Sequence, residues 1–96
     1  METKVFYTVT ALEDLEEIAA WSWQQHAHTS GRFLTALLNH IDLLAQFPLM
    51  GALVKGQPGV RQLLHTPFHI YYRFSPEKQR IDLLHIRHRL RLPPHG

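Results

Sequence analysis

The sequence predicts an α+β domain in which an antiparallel helical hairpin packs on one face of an antiparallel sheet. A short β-rich segment comes first, and two amphipathic helical segments with a brief polar break follow it. Three β-rich segments separated by turns then fill the second half of the chain. The predicted order is β-α-α-β-β-β, and the 96 residues suffice for a single domain with one modest core.

The first strand and the first helix are predicted from adjacent signals. The β-branched and aromatic run Val5–Val9 is typical of a strand. Thr10 and Glu13 then have the spacing of a capping box, which predicts a helix from about Ala11 to Gln25. At 100° per residue, one face of this helix gathers the residues that we expect to be buried, namely Leu12, Leu15, Ile18, Ala19 and Trp23.

The second helix is predicted from about Gly31 to Phe47, with Ser30 as its N-cap and Pro48 as its end. The break between the helices is short, which favours an antiparallel hairpin. The apolar residues cover about half of the helix circumference. They are Phe33, Leu34, Leu37, Leu38, Ile41, Leu44, Ala45 and Phe47.

Three strands are predicted after a loop that is rich in glycine and proline, "FPLMGALVKGQPG". The first runs from Val60 to His65 and the last from Arg80 to about His88. Between them, Phe68–Phe74 alternates, with Phe68, Ile70, Tyr72 and Phe74 on one face. We expect this strand to be central and that face to lie under the helices.

Charge is distributed unevenly along the chain. Residues 1–51 hold two basic and six acidic side chains, whereas residues 52–96 hold eight basic and two acidic ones. A basic half favours a polyanion or an acidic protein surface as partner. No segment approaches the length of a membrane span, and cysteine is absent, which excludes disulfide and thiolate chemistry and fits a cytoplasmic protein.

Several stretches resemble the RelE/ParE family of bacterial type II toxins, most closely its ParE-like branch. They are "ALEDLEEIAAW", "LLNHIDLLAQFPLMG", "GVRQL", "FHIYYRF" and "IDLLHIRH" with the basic residues and prolines that follow. The resemblance covers nearly the whole chain in the order of the family. It implies a toxin that a cognate antitoxin holds inactive. The implied target is DNA gyrase for ParE-like members, or messenger RNA on the ribosome for RelE-like members.

The candidate target-binding residues are basic and lie on the last three predicted strands and just after them. The resemblance places target contacts after the final strand, at His88, Arg89 and Arg91, and basic side chains fit an anionic partner. The candidates are Arg61, Arg73, Arg87, His88, Arg89 and Arg91. If the protein is instead a metal-independent endoribonuclease, His88 is the candidate acid or base, Arg61 and Arg73 bind the phosphate, and Tyr71 stacks on or orients the RNA. For Arg61 and Arg73 the structural alternative is pairing with Asp82 or with the carboxylates of the first helix, and for His88, Arg89 and Arg91 it is simple solvation.

Apolar residues outside the predicted core indicate a protein interface. Trp21 falls on the acidic face of the first helix, opposite Leu12, and Ala36 and Leu43 extend the apolar arc of the second helix. We therefore predict that Trp21, Ala36 and Leu43 bind the antitoxin. His85 and His88 are three residues apart and should point to opposite faces of a strand, so the sequence predicts no metal site and no cofactor.

Overall fold

Residues 3–89, the part of the chain that the computed structural model describes, form a five-stranded sheet with two helices packed against it. The strands are β1 (Lys4–Tyr7), β2 (Ala52–Leu53), β3 (Val60–His65), β4 (Phe68–Ser75) and β5 (Arg80–His88). The spatial order is β1-β5-β4-β3-β2, with β1 parallel to β5 and the other neighbours antiparallel. The predicted fold class, the hairpin and the β3-β4-β5 meander are confirmed. The short strand β2 lies in the segment that was predicted to be loop.

Helix α1 (Val9–Gln25) begins earlier than the sequence predicts. Its N-cap is Thr8, whose Oγ1 accepts the Ala11 N–H at 3.1 Å. The same hydroxyl donates to the Leu83 carbonyl at 2.7 Å. The assignment of the cap to Thr10 was wrong because the parallel pairing of β1 with β5 holds Thr8 at the turn into the helix.

The buried face of α1 also differs from the prediction. Ala11, Ile18 and Ser22 are buried, and Trp21 packs against the core, whereas Trp23 is 64% exposed. The expectation that Trp23 points inward and Trp21 outward was therefore wrong. Two of the three buried residues are small, so they mark the side on which a helix can approach a sheet closely. A count of large apolar side chains does not detect such a face.

Helix α2 (Ser30–Asp42) is shorter than predicted and continues as a single 3₁₀ turn, Leu43–Ala45. Its N-cap is Thr29 instead of the predicted Ser30, and Thr29 makes no side-chain capping bond. The face toward the sheet is as expected in its centre, and its buried residues are Leu37, Ile41 and Leu44. Neither helix of the described residues is long and apolar enough to span a membrane.

Strand β4 is the middle strand of the sheet, as predicted. Phe68, Ile70 and Tyr72 are buried on the face that carries the helices, which confirms the predicted register. Tyr71, on the opposite face, is only 1% exposed. The sheet therefore buries an aromatic ring on both sides. We call the side without helices the open face.

Strand β5 contains a bulge that changes which of its side chains face the helices. Tyr72 lies opposite Leu83, and Tyr71 lies opposite His85, so Leu84 is an extra residue in β5. After the bulge Ile86 packs in the core. Because neighbouring residues of a strand alternate between faces, the side chains of His85 and Arg87 then belong to the open face.

The second half of β5 is a sheet edge, because β1 pairs only with residues 80–83. Helix α1 occupies part of this edge through Asp14, whose Oδ2 accepts the backbone N–H of Ile86 at 2.9 Å. Asp14 is thereby fixed beside the open-face residues of β5, and its Oδ2 lies 4.0 Å from Nδ1 of His85.

Candidate functional site

The four residues predicted for RNA cleavage do not lie on one side of the sheet. Arg61 pairs in register with Tyr72, and His88 pairs with Phe68, so both belong to the face that carries the helices. Tyr71 and Arg73 are the neighbours of Tyr72 in β4 and therefore belong to the open face. The sheet separates the predicted acid or base from the predicted stacking residue.

Arg61 is held by a loop. Its Nη1 donates to the carbonyls of Gly51, at 2.8 Å, and Leu49, at 3.4 Å. The same loop is held by Tyr72, whose hydroxyl accepts the Gly51 N–H at 2.9 Å and donates to the Pro48 carbonyl at 2.8 Å. A Cβ at position 51 would lie 2.8 Å from the Tyr72 hydroxyl, so only glycine fits. Arg61 therefore stabilises the entry into β2.

His88 is part of an aromatic cluster between α1 and the sheet. Its ring packs edge-on against Phe68, with centroids 5.5 Å apart, and against Trp21, at 6.4 Å. These rings line a cleft of about 300 Å³ whose rim includes Asp14 and Glu17. His88 is thus half-buried beside acidic side chains, whereas the sequence placed it in a basic, target-contacting segment.

The open face holds a different set of polar side chains. Nη2 of Arg87 lies 3.4 Å from Nδ1 of His85, and the Tyr71 hydroxyl lies 3.5 Å from Nδ1 of His69. His85 pairs in register with Tyr71, and Arg87 with His69, so the four residues form two adjacent rows. Simple alternation along β5 does not predict this group, because the bulge at Leu84 changes the faces of the residues that follow it.

The electrostatics of the open face favour neutral His85 and protonated Tyr71. Burial lowers the pKa of His85, the Arg87 guanidinium lowers it further, and the Asp14 carboxylate opposes both. Burial raises the pKa of Tyr71, and Arg87 acts against that increase. At neutral pH His85 can therefore accept a proton, and the Tyr71 hydroxyl can donate a hydrogen bond. Nε of Arg87 is buried and has no hydrogen-bond partner among residues 3–89.

A cleft of about 410 Å³ lies beside this group. Its walls come from the start of α1, from the loop before β3 and from the open face of β4 and β5. Arg73 supplies a positive charge at the cleft, and hydroxyl and amide groups supply hydrogen bonds. The residues that line the cleft are Thr8, Thr10, Gly56, Gln57, Pro58, Val60, Tyr71, Arg73, Leu84 and His85.

The predicted target-binding cations are in different environments. Arg73 and Arg89 are exposed, and Arg87 is half-buried. Arg61 is engaged with the loop carbonyls, and Arg91 lies outside the described residues. Arg73 and Arg89 are thus accessible to a partner.

The residues predicted to bind an antitoxin differ in exposure. Ala36 is exposed on α2, and Leu43 is 42% exposed in the turn that follows. Trp21 is half-buried, with its ring edge-on to Phe33 and Phe68 at centroid distances of 6.1 and 5.4 Å. Sequence reasoning missed the exposed apolar side of α1, which includes Val9, Leu12 and Trp23.

Between residues 3 and 89, no three histidine or acidic side chains come close enough together to hold a metal ion. His26 and His28 lie exposed in the break between the helices. His85 and His88 point to opposite faces of the sheet, as the sequence predicts, because an odd number of positions separates them after the bulge.

Comparisons with known proteins agree on the type of protein. The family model described as the ParE toxin of the type II toxin–antitoxin system parDE matches residues 5–93. The RelBE2 toxin–antitoxin complex of Mycobacterium tuberculosis contains a chain with 23% identity and a TM-score of 0.70, and the match covers 93% of this chain and 100% of that one. A chain of the chromosomal ParDE system of P. aeruginosa has 23% identity and a TM-score of 0.75, with coverage of 90% and 95%. No curated protein sequence matches.

Proposed function

Because this chain belongs to the ParE toxin family of type II toxin–antitoxin systems, we propose that it acts in the cytoplasm by binding DNA gyrase and that a cognate antitoxin neutralises it. The proposal places target recognition on exposed basic side chains. It assigns no chemical step to the protein.

The separation of the predicted nuclease residues carries this proposal. An acid or base must lie within hydrogen-bond reach of the reacting group, and the groups that bind the phosphate must act at the same centre. His88 and Arg61 belong to one face of the sheet, and Tyr71 and Arg73 to the other. Arg61 already binds two backbone carbonyls, and His88 packs between aromatic rings.

Exposed cations fit recognition by charge. Arg73 and Arg89 are accessible, and the second half of the sequence has a net positive charge. Arginine side chains bind carboxylates and phosphates through charge-assisted hydrogen bonds, so these residues fit an acidic patch on a partner. Charge of this kind steers association and fixes orientation, and its effect falls as salt is added.

Induction of the toxin without its antitoxin tests the proposal directly. DNA supercoiling and transcript integrity should be followed in the same culture from the moment of induction. We expect supercoiling activity to fall while transcripts remain intact. Rapid transcript cleavage with normal supercoiling would overturn the proposal.

The open-face residues favour a second candidate function, that of a ribosome-dependent endoribonuclease. Neutral His85 next to Arg87 and Tyr71 gives a base, a cation and a hydroxyl within one area of the sheet. In that case His85→Gln should abolish transcript cleavage. His28→Gln is a suitable control, because His28 is exposed in the break between the helices.

We further propose that the antitoxin covers apolar surface on the helical hairpin. The complexes from M. tuberculosis and P. aeruginosa each pair such a toxin fold with an antitoxin. Ala36 and Leu43 remain candidates for this contact, and Trp21 can contribute only the part of its ring that is exposed. Trp23 presents most of its indole to solvent and is the stronger candidate on α1.

A further inference from the structure

One polar contact joins the end of α2 to the sheet, away from both clefts. Nδ1 of His40, in the last turn of α2, lies 2.8 Å from Nδ1 of His65, the final residue of β3. The two rings are half-buried, and their centroids are 5.1 Å apart. We infer that a hydrogen bond between these two imidazoles joins α2 to the sheet and that protonation in acid breaks it.

The distance determines the protonation states that allow the contact. Two nitrogen atoms at 2.8 Å require one donor and one acceptor, so one ring carries its proton on Nδ1 and the other on Nε2. A first additional proton can bind the Nε2 of the donor ring and leave the hydrogen bond intact. A second must bind the accepting Nδ1, which leaves two N–H groups and two positive charges facing each other.

Among residues 3–89, burial and the His40 imidazole account for the lowered pKa of His65, and no carboxylate opposes them. Within the described residues, the side chains that pack against His65 include Phe33 from α2 and its register partner Phe68 from β4. Asp42 follows His40 by two positions, so its side chain lies about 200° further around the helix. The carboxylate of Asp42 acts on Tyr7, whose pKa burial and this charge raise to about 12.

The effect of acid follows from the direction of the His65 shift. Burial lowers the pKa of His65, and the His40 imidazole lowers it further. An unfolded histidine, with a pKa of about 6.5, therefore takes up a proton before the folded one does. The contribution to stability is complete above pH 6.5 and is lost as the pH falls below that value toward the folded pKa of His65.

Proton titration by NMR tests the coupling in the intact chain. Histidine ring signals should be followed between about pH 4 and pH 8 in the wild type and in His40→Gln. We expect the His65 midpoint to lie at a lower pH in the wild type than in His40→Gln, because the neighbouring imidazole lowers the pKa of His65. Equal His65 midpoints in the wild type and in His40→Gln would overturn the inference.

Thermal unfolding as a function of pH provides the second test. The pKa of His85 is lowered as well, so part of the acid sensitivity belongs to that residue. His40→Gln should reduce the loss of Tm between pH 7 and pH 5, and His65→Gln should reduce it more, because burial still lowers the pKa of His65 when only His40 is replaced. The double variant should reduce it no further than His65→Gln does. His85→Gln should reduce it independently. Additive effects of His40→Gln and His65→Gln would contradict a shared proton.

Discussion

Removal of the Tyr72 hydroxyl group should destabilise this protein far more than removal of the hydroxyl group of the adjacent Tyr71. In Tyr72→Phe the ring remains in place, but the Gly51 N–H and the Pro48 carbonyl lose their partner. Burial raises the pKa of Tyr72, although the Gly51 bond and Arg61 oppose this, so the hydroxyl keeps its proton and can donate. Both of its hydrogen bonds are therefore made at neutral pH.

The expected loss follows from those two bonds. A neutral hydrogen bond contributes about 0.5–1.5 kcal/mol net, and a buried group left without a partner costs about 1–3 kcal/mol. Because the Gly51 bond is buried, we expect Tyr72→Phe to lower the free energy of unfolding by about 2–3 kcal/mol. At about 4–8 °C per kcal/mol in a domain of this size, the Tm should fall by roughly 10–20 °C.

Tyr71→Phe is the matched control. The two tyrosines are adjacent, and they are 1% and 0% exposed. Within the part of the chain that the structure describes, the Tyr71 hydroxyl makes only a 3.5 Å contact with Nδ1 of His69, which is at the limit of hydrogen bonding. We therefore expect a loss below about 1 kcal/mol for Tyr71→Phe.

Urea unfolding of both variants measures the difference, provided that the slope m remains that of the wild type. Tyr72→Ala, which also deletes the ring, should cost about 3–5 kcal/mol. If Tyr72→Phe and Tyr71→Phe lose the same stability, the Tyr72 hydroxyl does not hold the loop, and our account of the loop and of Arg61 is incorrect.

Two further predictions concern toxicity and the antitoxin. If the protein acts by binding, Arg89→Glu combined with Arg91→Glu should abolish growth inhibition, because two attractive charges become repulsive. His88→Gln should keep most of the growth inhibition, provided that an unchanged Tm shows the aromatic cluster to be intact. If His88→Gln loses growth inhibition and the double arginine variant retains it, the result favours RNA cleavage, because an acid or base commonly contributes about 10²–10⁴-fold to the rate. Trp23→Ala should weaken antitoxin binding in a titration without lowering the Tm, whereas Trp21→Ala should lower the Tm. If Trp23→Ala binds the antitoxin as the wild type does, the exposed side of α1 is not part of the interface.

The order of the elements could be predicted from local patterns, but the ends of the helices could not. Thr8 and Thr10 are both acceptable N-caps as residue types. The choice of Thr8 depends on its bonds to Leu83, which is 75 positions away in the sequence. Such a contact forms only when β1 pairs with β5, so a local capping pattern cannot reveal it.

The candidate site was harder to predict than the fold. The buried face of β4 could be predicted from strict alternation, because every second residue of this strand is large and apolar. In β5 the adjacent pair Leu83-Leu84 interrupts that alternation, and this was the available signal for a bulge. Unless the bulge is recognised, the residues after Leu84 cannot be assigned to the correct faces, and the group around His85 and Arg87 is not predicted.

The extra residue in β5 also affects how this protein can be compared with its relatives. If a relative lacks the residue equivalent to Leu84, an alignment without a gap at that position would match its later side chains to residues on the wrong face of this sheet. The functional roles of residues in β5 should therefore be transferred by superposition of the sheets, with Ile86 matched to a core residue. At 23% identity, an alignment of letters alone can place Arg87 on either side of the sheet.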